Sequence, residues 1–186
     1  MILFRCFPWD GSVDAESRGG ALWFPRMLQG DGRHDAPQQY GCLYVSEEPL
    51  STVVEQLAPF VGTEIAAPDL VRGGLPLALA ALELPDGTRL LNLDEPLVLA
   101  AEKLRPSLVA THERPRTQAD ASTLYARHED AVGLRWWSTF ESQWANVTLF
   151  DRALRAPLRL EDIRTIRLED EVLGEAARFL GLGVAA

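Results

Sequence analysis

Cysteine is scarce in this chain: Cys6 and Cys42 are the only two among 186 residues, and they stand far apart in no redox or zinc-type pattern. That excludes a disulfide-stapled scaffold and predicts two reduced, partly buried thiols of the kind found in the cytoplasm. Histidine is nearly as rare. His34, His112 and His128 fit neither HExxH nor any Cys/His zinc spacing, so no protein metal site is expected. Basic residues fall short of acidic ones, 18 against 27 for a formal charge of -9. Such a field repels a polyanion, which argues against a nucleic-acid partner. There is no GxGxxG, no P-loop and no GxSxG. The longest apolar run, LPLALAAL from Leu75 to Leu82, is far below the roughly 18 residues of a membrane span. The opening MILFRCFPWD breaks its apolar start with Arg5 and shows no small-residue cleavage site, so it does not read as a secretory signal.

What is present is an ordinary globular composition, 47% hydrophobic and 24% charged. The length fits the usual allotment of roughly 100 to 200 residues for one domain, and without a repeat or a Ser/Gly/Pro-rich linker a single domain over 1–186 is expected. A strand is predicted around Ile2 to Phe7, then a loop through Arg18, Gly19 and Gly20. GCLYVS reads as a buried strand carrying Tyr44. Pro49 suits a first helical turn, and Leu50, Val53, Val54 and Leu57 form one apolar stripe. Glu55 falls roughly 140° from the centre of that stripe and must face elsewhere.

Further on, LALAALEL and TRLLNL flank Pro85-Asp86-Gly87, the chemistry of a hairpin turn. Asp94 is a good N-cap for a helix through EPLVLAAEKL that stops before Pro106. After a loop THERPRT, QADASTLYARH forms a further helix; Arg114 and Arg116 make a small basic patch in that loop. GLRWWSTF and NVTLF are strands, the second placed at an edge. LEDEVLGEAARFLG closes the chain as a helix stopped by Gly181. Strands and helices mix without the alternation of a doubly wound sheet, which gives α+β.

Arg33, Tyr44 and Glu55 stand eleven residues apart, one each in a loop, a strand and a helix. Taken singly they read as a solvated charge, a core aromatic and a helix surface residue. In order, however, GRHD, CLYVSE and VVEQL resemble the amino-terminal motif of the RES-domain family: a Gly-Arg-aromatic-Asn/Asp turn, a strand ending in Leu-Tyr, and a helix with an inward Glu. LLNLDEPLVLAAEKL, TQADASTLYARHEDAVGLRWWSTF and NVTLF resemble later blocks of the same family, so the likeness runs roughly from Phe4 to Phe150. His34 stands where that family more often has Trp or Phe, and Asp35 where Asn is frequent.

The resemblance implies an ADP-ribosyltransferase-like fold, with mixed or antiparallel sheets and peripheral helices, and action on NAD. NAD is the substrate, with no prosthetic group; nicotinamide is cut from ribose by hydrolysis or phosphorolysis, with water or inorganic phosphate as acceptor. Transfer of ADP-ribose to a protein is the alternative, and a catalytically silent partner-binding domain is another. Many members are toxins held by a helix-turn-helix (Xre-type) antitoxin.

The chemistry asks for a phosphate clamp and a negative group beside an oxocarbenium-like ribose. Arg33 offers a pH-independent fork for the diphosphate, with Arg5 as a second candidate. Tyr44 can lay its ring on nicotinamide or ribose while its hydroxyl makes one directional bond. Glu55 would accept from ribose hydroxyls and stabilise the cation as neutral nicotinamide leaves. Ser138 matches the family's serine after the aromatic pair, and Trp136 shares its side of the strand. For these two the plainer readings are a hydroxyl tied to nearby backbone and core packing. His34 could stack on a ring or meet phosphate when protonated, although a turn histidine is ordinarily solvent-facing.

Overall fold

A computed structural model describes residues 1–155 and 158–185. In chain order it holds β1 (Ile2–Pro8), β2 (Cys42–Ser46), α1 (Pro49–Leu57), β3 (Glu64–Ile65), β4 (Val71–Arg72), β5 (Leu75–Glu83), β6 (Leu90–Asn92), α2 (Pro96–Glu102), α3 (Pro106–Val109), α4 (Arg114–Arg127), β7 (Gly133–Trp137), β8 (Ala145–Phe150), β9 (Arg159–Thr165), α5 (Glu171–Leu180) and β10 (Gly183–Val184). This is the expected α+β class. The chain divides into two units. The first comprises Met1, Phe24–Tyr44 and Leu84–Leu158, and the second Ile2–Trp23, Val45–Glu83 and Arg159–Ala186.

In the second unit β1 pairs antiparallel with β5 in unbroken register from Ile2 opposite Glu83 to Pro8 opposite Leu77. The end of β2 joins β1 where Ser46 faces Phe4. On the other edge of β5 lie β4 and β9, with a register shift between Ala81 and Leu82. Such a shift bends a strand and sharpens its twist. The stripe on α1 does what its spacing predicts: Val53, Val54 and Leu57 are buried, joined by Ser51 and Thr52, against β1 and α5. Thr52 Oγ1 also accepts the Cys6 N–H at 2.9 Å, tying the helix to the strand. Gly181, at φ 68°, ends α5 in the left-handed region that glycine enters at low cost. β10 runs parallel to β3 as a two-stranded sheet of its own.

In the first unit β6 runs parallel to β7, and β7 antiparallel to β8. Tyr40, Cys42, Leu91, Leu99, Leu124, Leu134, Trp136 and Phe150 share its core.

Four local expectations fail here for physical reasons. The Pro85–Thr88 turn forms, closed by Thr88 N–H to Pro85 O at 3.2 Å, but it makes no hairpin. β5 takes β1, β4 and β9 as partners and β6 takes β7, so long-range pairing overrides the turn. Glu95, not Asp94, is the N-cap of α2; the Asp94 carboxylate stands 3.5 Å from Arg135 instead. Pro115 fits a first helical turn, so α4 starts at Arg114, and both arginines of THERPR are helical rather than in a loop. Every residue of β8 is buried, which an exposed edge strand would not show.

Candidate functional site

The sequence GDGRHD makes a tight loop because its own aspartate turns back onto it. Asp35 Oδ2 accepts the N–H groups of Gly30 at 2.9 Å and Gly32 at 2.7 Å. Gln118, from α4, donates to the carbonyls of Gly30 and Gly32 at 2.8 and 2.9 Å. Thr117 Oγ1 donates to Arg33 O at 2.6 Å. Gly32 has no room for a side chain: a Cβ there would lie 2.6 Å from both Asp35 Oδ1 and the Tyr44 hydroxyl.

Four of the expected residues, Arg33, His34, Tyr44 and Trp136, meet around this loop in the first unit. Arg33 is buried, and its Nη1 donates to Thr111 O at 2.5 Å and Val109 O at 3.1 Å. Its guanidinium carbon lies 4.7 Å from the centroid of the Trp136 ring, a cation–π distance. Tyr44 projects from β2 and closes the loop from the strand side. Its hydroxyl accepts the His34 N–H at 2.9 Å and gives its one proton to Asp35 Oδ1 at 2.7 Å. Burial first, then the neighbouring Cys42 and Asp35, push the Tyr44 pKa well up, so the phenol stays a donor.

His34 is 3% exposed, not the solvated turn residue its position suggests. Its ring meets Trp136 edge-on, with centroids 5.3 Å apart, and Nδ1 lies 2.8 Å from Thr148 Oγ1. The Trp136 indole can only donate, and does so to the same Thr148 oxygen at 3.2 Å. Thr148 keeps its own proton and a second lone pair for His34 Nδ1, so the direction of that bond follows the imidazole tautomer. Burial, then the charges of Arg33 and Arg114, lower the His34 pKa to about 3, so the imidazole is neutral at physiological pH. The cavity beside it, about 20 Å³, holds no more than a water. Trp136 therefore underlies Arg33, and His34 abuts Trp136 in turn. On its outer side the loop borders a groove of about 470 Å³, lined by Gly30, Asp35, Gln39, Gln118 and Ser122 among others.

Ser138 follows β7 in the same unit, 2% exposed. Its Oγ accepts the Phe140 N–H at 3.1 Å, the bond to nearby backbone that its plainer reading predicts.

The remaining two residues belong to the second unit. Arg5 lies on β1 over the Phe7 ring and donates to Ala21 O at 2.6 Å and Gly20 O at 3.2 Å. Desolvation lowers its pKa to about 9, which leaves it charged at neutral pH. Glu55 is exposed on α1, off the apolar stripe as its wheel position requires.

Sequence reasoning passed over Thr148 and gave Thr117 and Gln118 no task. The only signal for the pair was their place in the TQADAS block, and for Thr148 a polar residue in an otherwise apolar strand. Among the described residues no group of three or more His, Cys, Asp or Glu side chains could hold a metal ion. No described helix is long and apolar enough to cross a membrane.

The model of one protein family, the RES domain, matches residues 3–170. No curated protein matches the chain. Among solved structures, a chain from the crystal structure of the M. tuberculosis MbcT-MbcA toxin-antitoxin complex superimposes with a TM-score of 0.60 at 14% identity, covering 97% of this chain and 87% of that one. At such identity the likeness is one of fold.

Proposed function

The chain belongs to the RES-domain family, and from that premise we propose that it is an enzyme that cleaves the nicotinamide–ribose bond of NAD, with water or inorganic phosphate as acceptor. The observation that carries this reading is the buried guanidinium of Arg33, presented by the loop from Gly30 to Asp35 and held by the carbonyls of Val109 and Thr111 and the face of Trp136. A preoriented cation of that kind suits a diphosphate, because little reorganisation is needed when the anion arrives.

In this scheme the glycosidic electron pair leaves with nicotinamide, which departs neutral, and the ribose carries the positive charge. Glu55 stabilises that charge and takes hydrogen bonds from the ribose hydroxyls. Water then adds and loses a proton, giving ADP-ribose; phosphate in its place gives the phosphorylated product. Tyr44 contributes the face of its ring, since its hydroxyl proton already goes to Asp35. Ser138 orients the nicotinamide ribose or amide, and Arg5 is a second anion contact. His34 and Trp136 act by positioning Arg33.

The family, and the fold shared with a chain of a toxin-antitoxin complex, support a further reading. The chain is the toxin of a pair, working in the cytoplasm and held by a helix-turn-helix (Xre-type) antitoxin, for which a surface of net charge -9 is a suitable partner if that protein is basic.

The test is mass spectrometry of NAD incubated with the purified chain, with and without phosphate, beside Arg33→Lys and Glu55→Gln. The expected products are nicotinamide and either ADP-ribose or its phosphorylated form, with each variant slowed about a hundredfold. Intact NAD, or both variants at full rate, overturns the proposal. ADP-ribose attached to protein identifies a transferase instead.

A further inference from the structure

Arg114 opens α4, and its Nη1 is buried and makes no hydrogen bond among the described residues. A guanidinium cannot discharge by losing a proton, so a buried donor of this kind calls for an acceptor. The chain around it offers little compensation. The first turn of α4 has no acidic residue, and Glu113, the N-cap, makes no side-chain cap bond.

A second cation lies close by. The single proton of Thr117 Oγ1 is shared between Arg33 O at 2.6 Å and Arg114 O at 3.2 Å, so the main chains of the two arginines meet at one hydroxyl. The Arg33 side chain runs to the carbonyls of Val109 and Thr111, just before α4 begins. The charges of Arg33 and Arg114 both act on the buried His34 ring. Two like charges near one desolvated imidazole repel each other unless an anion comes between them.

We propose that Arg114 is the second half of a phosphoryl-binding site shared with Arg33, taking a phosphate group that is either free or part of a diphosphate. Arg116, two residues on, is excluded from this role: it is exposed and paired with Asp120 at 2.9 Å. The inference deepens the NAD reading above, because a dinucleotide carries a diphosphate and phosphorolysis needs a free phosphate.

The experiment is calorimetric titration of the full chain, and of Arg114→Met and Arg116→Met, with inorganic phosphate and with inorganic pyrophosphate at low salt. Binding by the parent chain should weaken about tenfold or more in Arg114→Met, the loss of one charge-assisted contact, and remain within about twofold in Arg116→Met. Tighter binding of pyrophosphate identifies a diphosphate site; equal binding identifies a single-phosphate site. Thermal melts without ligand provide the second readout. Arg114→Met should be at least as stable as the parent, because it removes an unpartnered buried donor, and a large loss of stability would make Arg114 structural and overturn the proposal. So would absence of binding by the parent, or undiminished binding by Arg114→Met. The two readings fail separately. A chain that binds pyrophosphate through Arg114 but leaves NAD intact retains the site and loses the enzyme, while one that consumes NAD with no change in anion binding in Arg114→Met does the reverse.

Discussion

The hydroxyl of Tyr44 stands 2.7 Å from Asp35 Oδ1 and gives it a proton while accepting the His34 N–H, so a strand side chain latches the loop that carries Arg33. Tyr44→Phe keeps the ring and removes the latch. It leaves Asp35 and the His34 amide each short of a partner and should cost about 1–3 kcal/mol of stability. Hydrogen exchange of the Gly32 and His34 amides should quicken at the same time. Unchanged exchange would show that Gln118 and Thr117 hold the loop without help.

Gly32 and Gly30 make a paired test of the same geometry. A Cβ at Gly32 meets Asp35 Oδ1 and the Tyr44 hydroxyl at 2.6 Å, whereas one at Gly30 meets nothing within 4 Å. Gly32→Ala should therefore destabilise by about 1–3 kcal/mol and reduce any turnover that depends on Arg33. Gly30→Ala should stay within about 0.5 kcal/mol of the parent in urea unfolding. Equal effects would mean that the loop adapts freely.

His34 sets a pH dependence with a definite sign. Its folded pKa, about 3, lies below the ordinary 6.5, so the unfolded chain binds the extra proton first. Stability is intact above about pH 6.5 and erodes as the pH falls from there towards 3, by up to about 1.4 kcal/mol per pH unit from this group. His34→Gln should flatten that part of the profile, measured by denaturant unfolding from pH 7 to pH 4. A variant with the parent's slope would assign the loss to other groups.

The thiols should be silent in the folded chain. Cys6 and Cys42 are free and buried; burial pushes Cys6 up to about 12 and raises Cys42 as well. Since thiolate is the reactive form, a thiol reagent at pH 8 should label neither in native protein and both in denaturant. Rapid native labelling of either would contradict its burial.

Much of this was legible in the residues themselves. The stripe on α1 and the position of Glu55 off it follow from a period of 3.6, and β1, β2 and β7 from short apolar runs between turn residues. Motif order singles out Arg33, Tyr44 and Glu55, with Arg5, Ser138, His34 and Trp136 beside them; Arg33, Tyr44, His34, Trp136 and Ser138 fall in one unit, Arg5 and Glu55 in the other. What was not legible is tertiary. The turn at Pro85–Thr88 looks the same whether or not its flanking strands pair, and only a distant parallel partner, β7, decides the matter for β6. The burial of His34 depends on Thr148 and Trp136, more than a hundred residues away, and no local pattern reports a contact at that separation. Arg114 was hidden in the same way: a basic residue in a polar stretch looks solvated until the surrounding fold half-buries it and closes over its Nη1.

The division of the chain has its own consequence. Phe24–Tyr44 and Leu84–Leu158 build one unit while the stretch between them, Val45–Glu83, goes to the other. Neither unit corresponds to a contiguous length of coding sequence, so no single recombination breakpoint could transplant one of them into another gene, and a product that stops before Leu158 would carry an incomplete version of both.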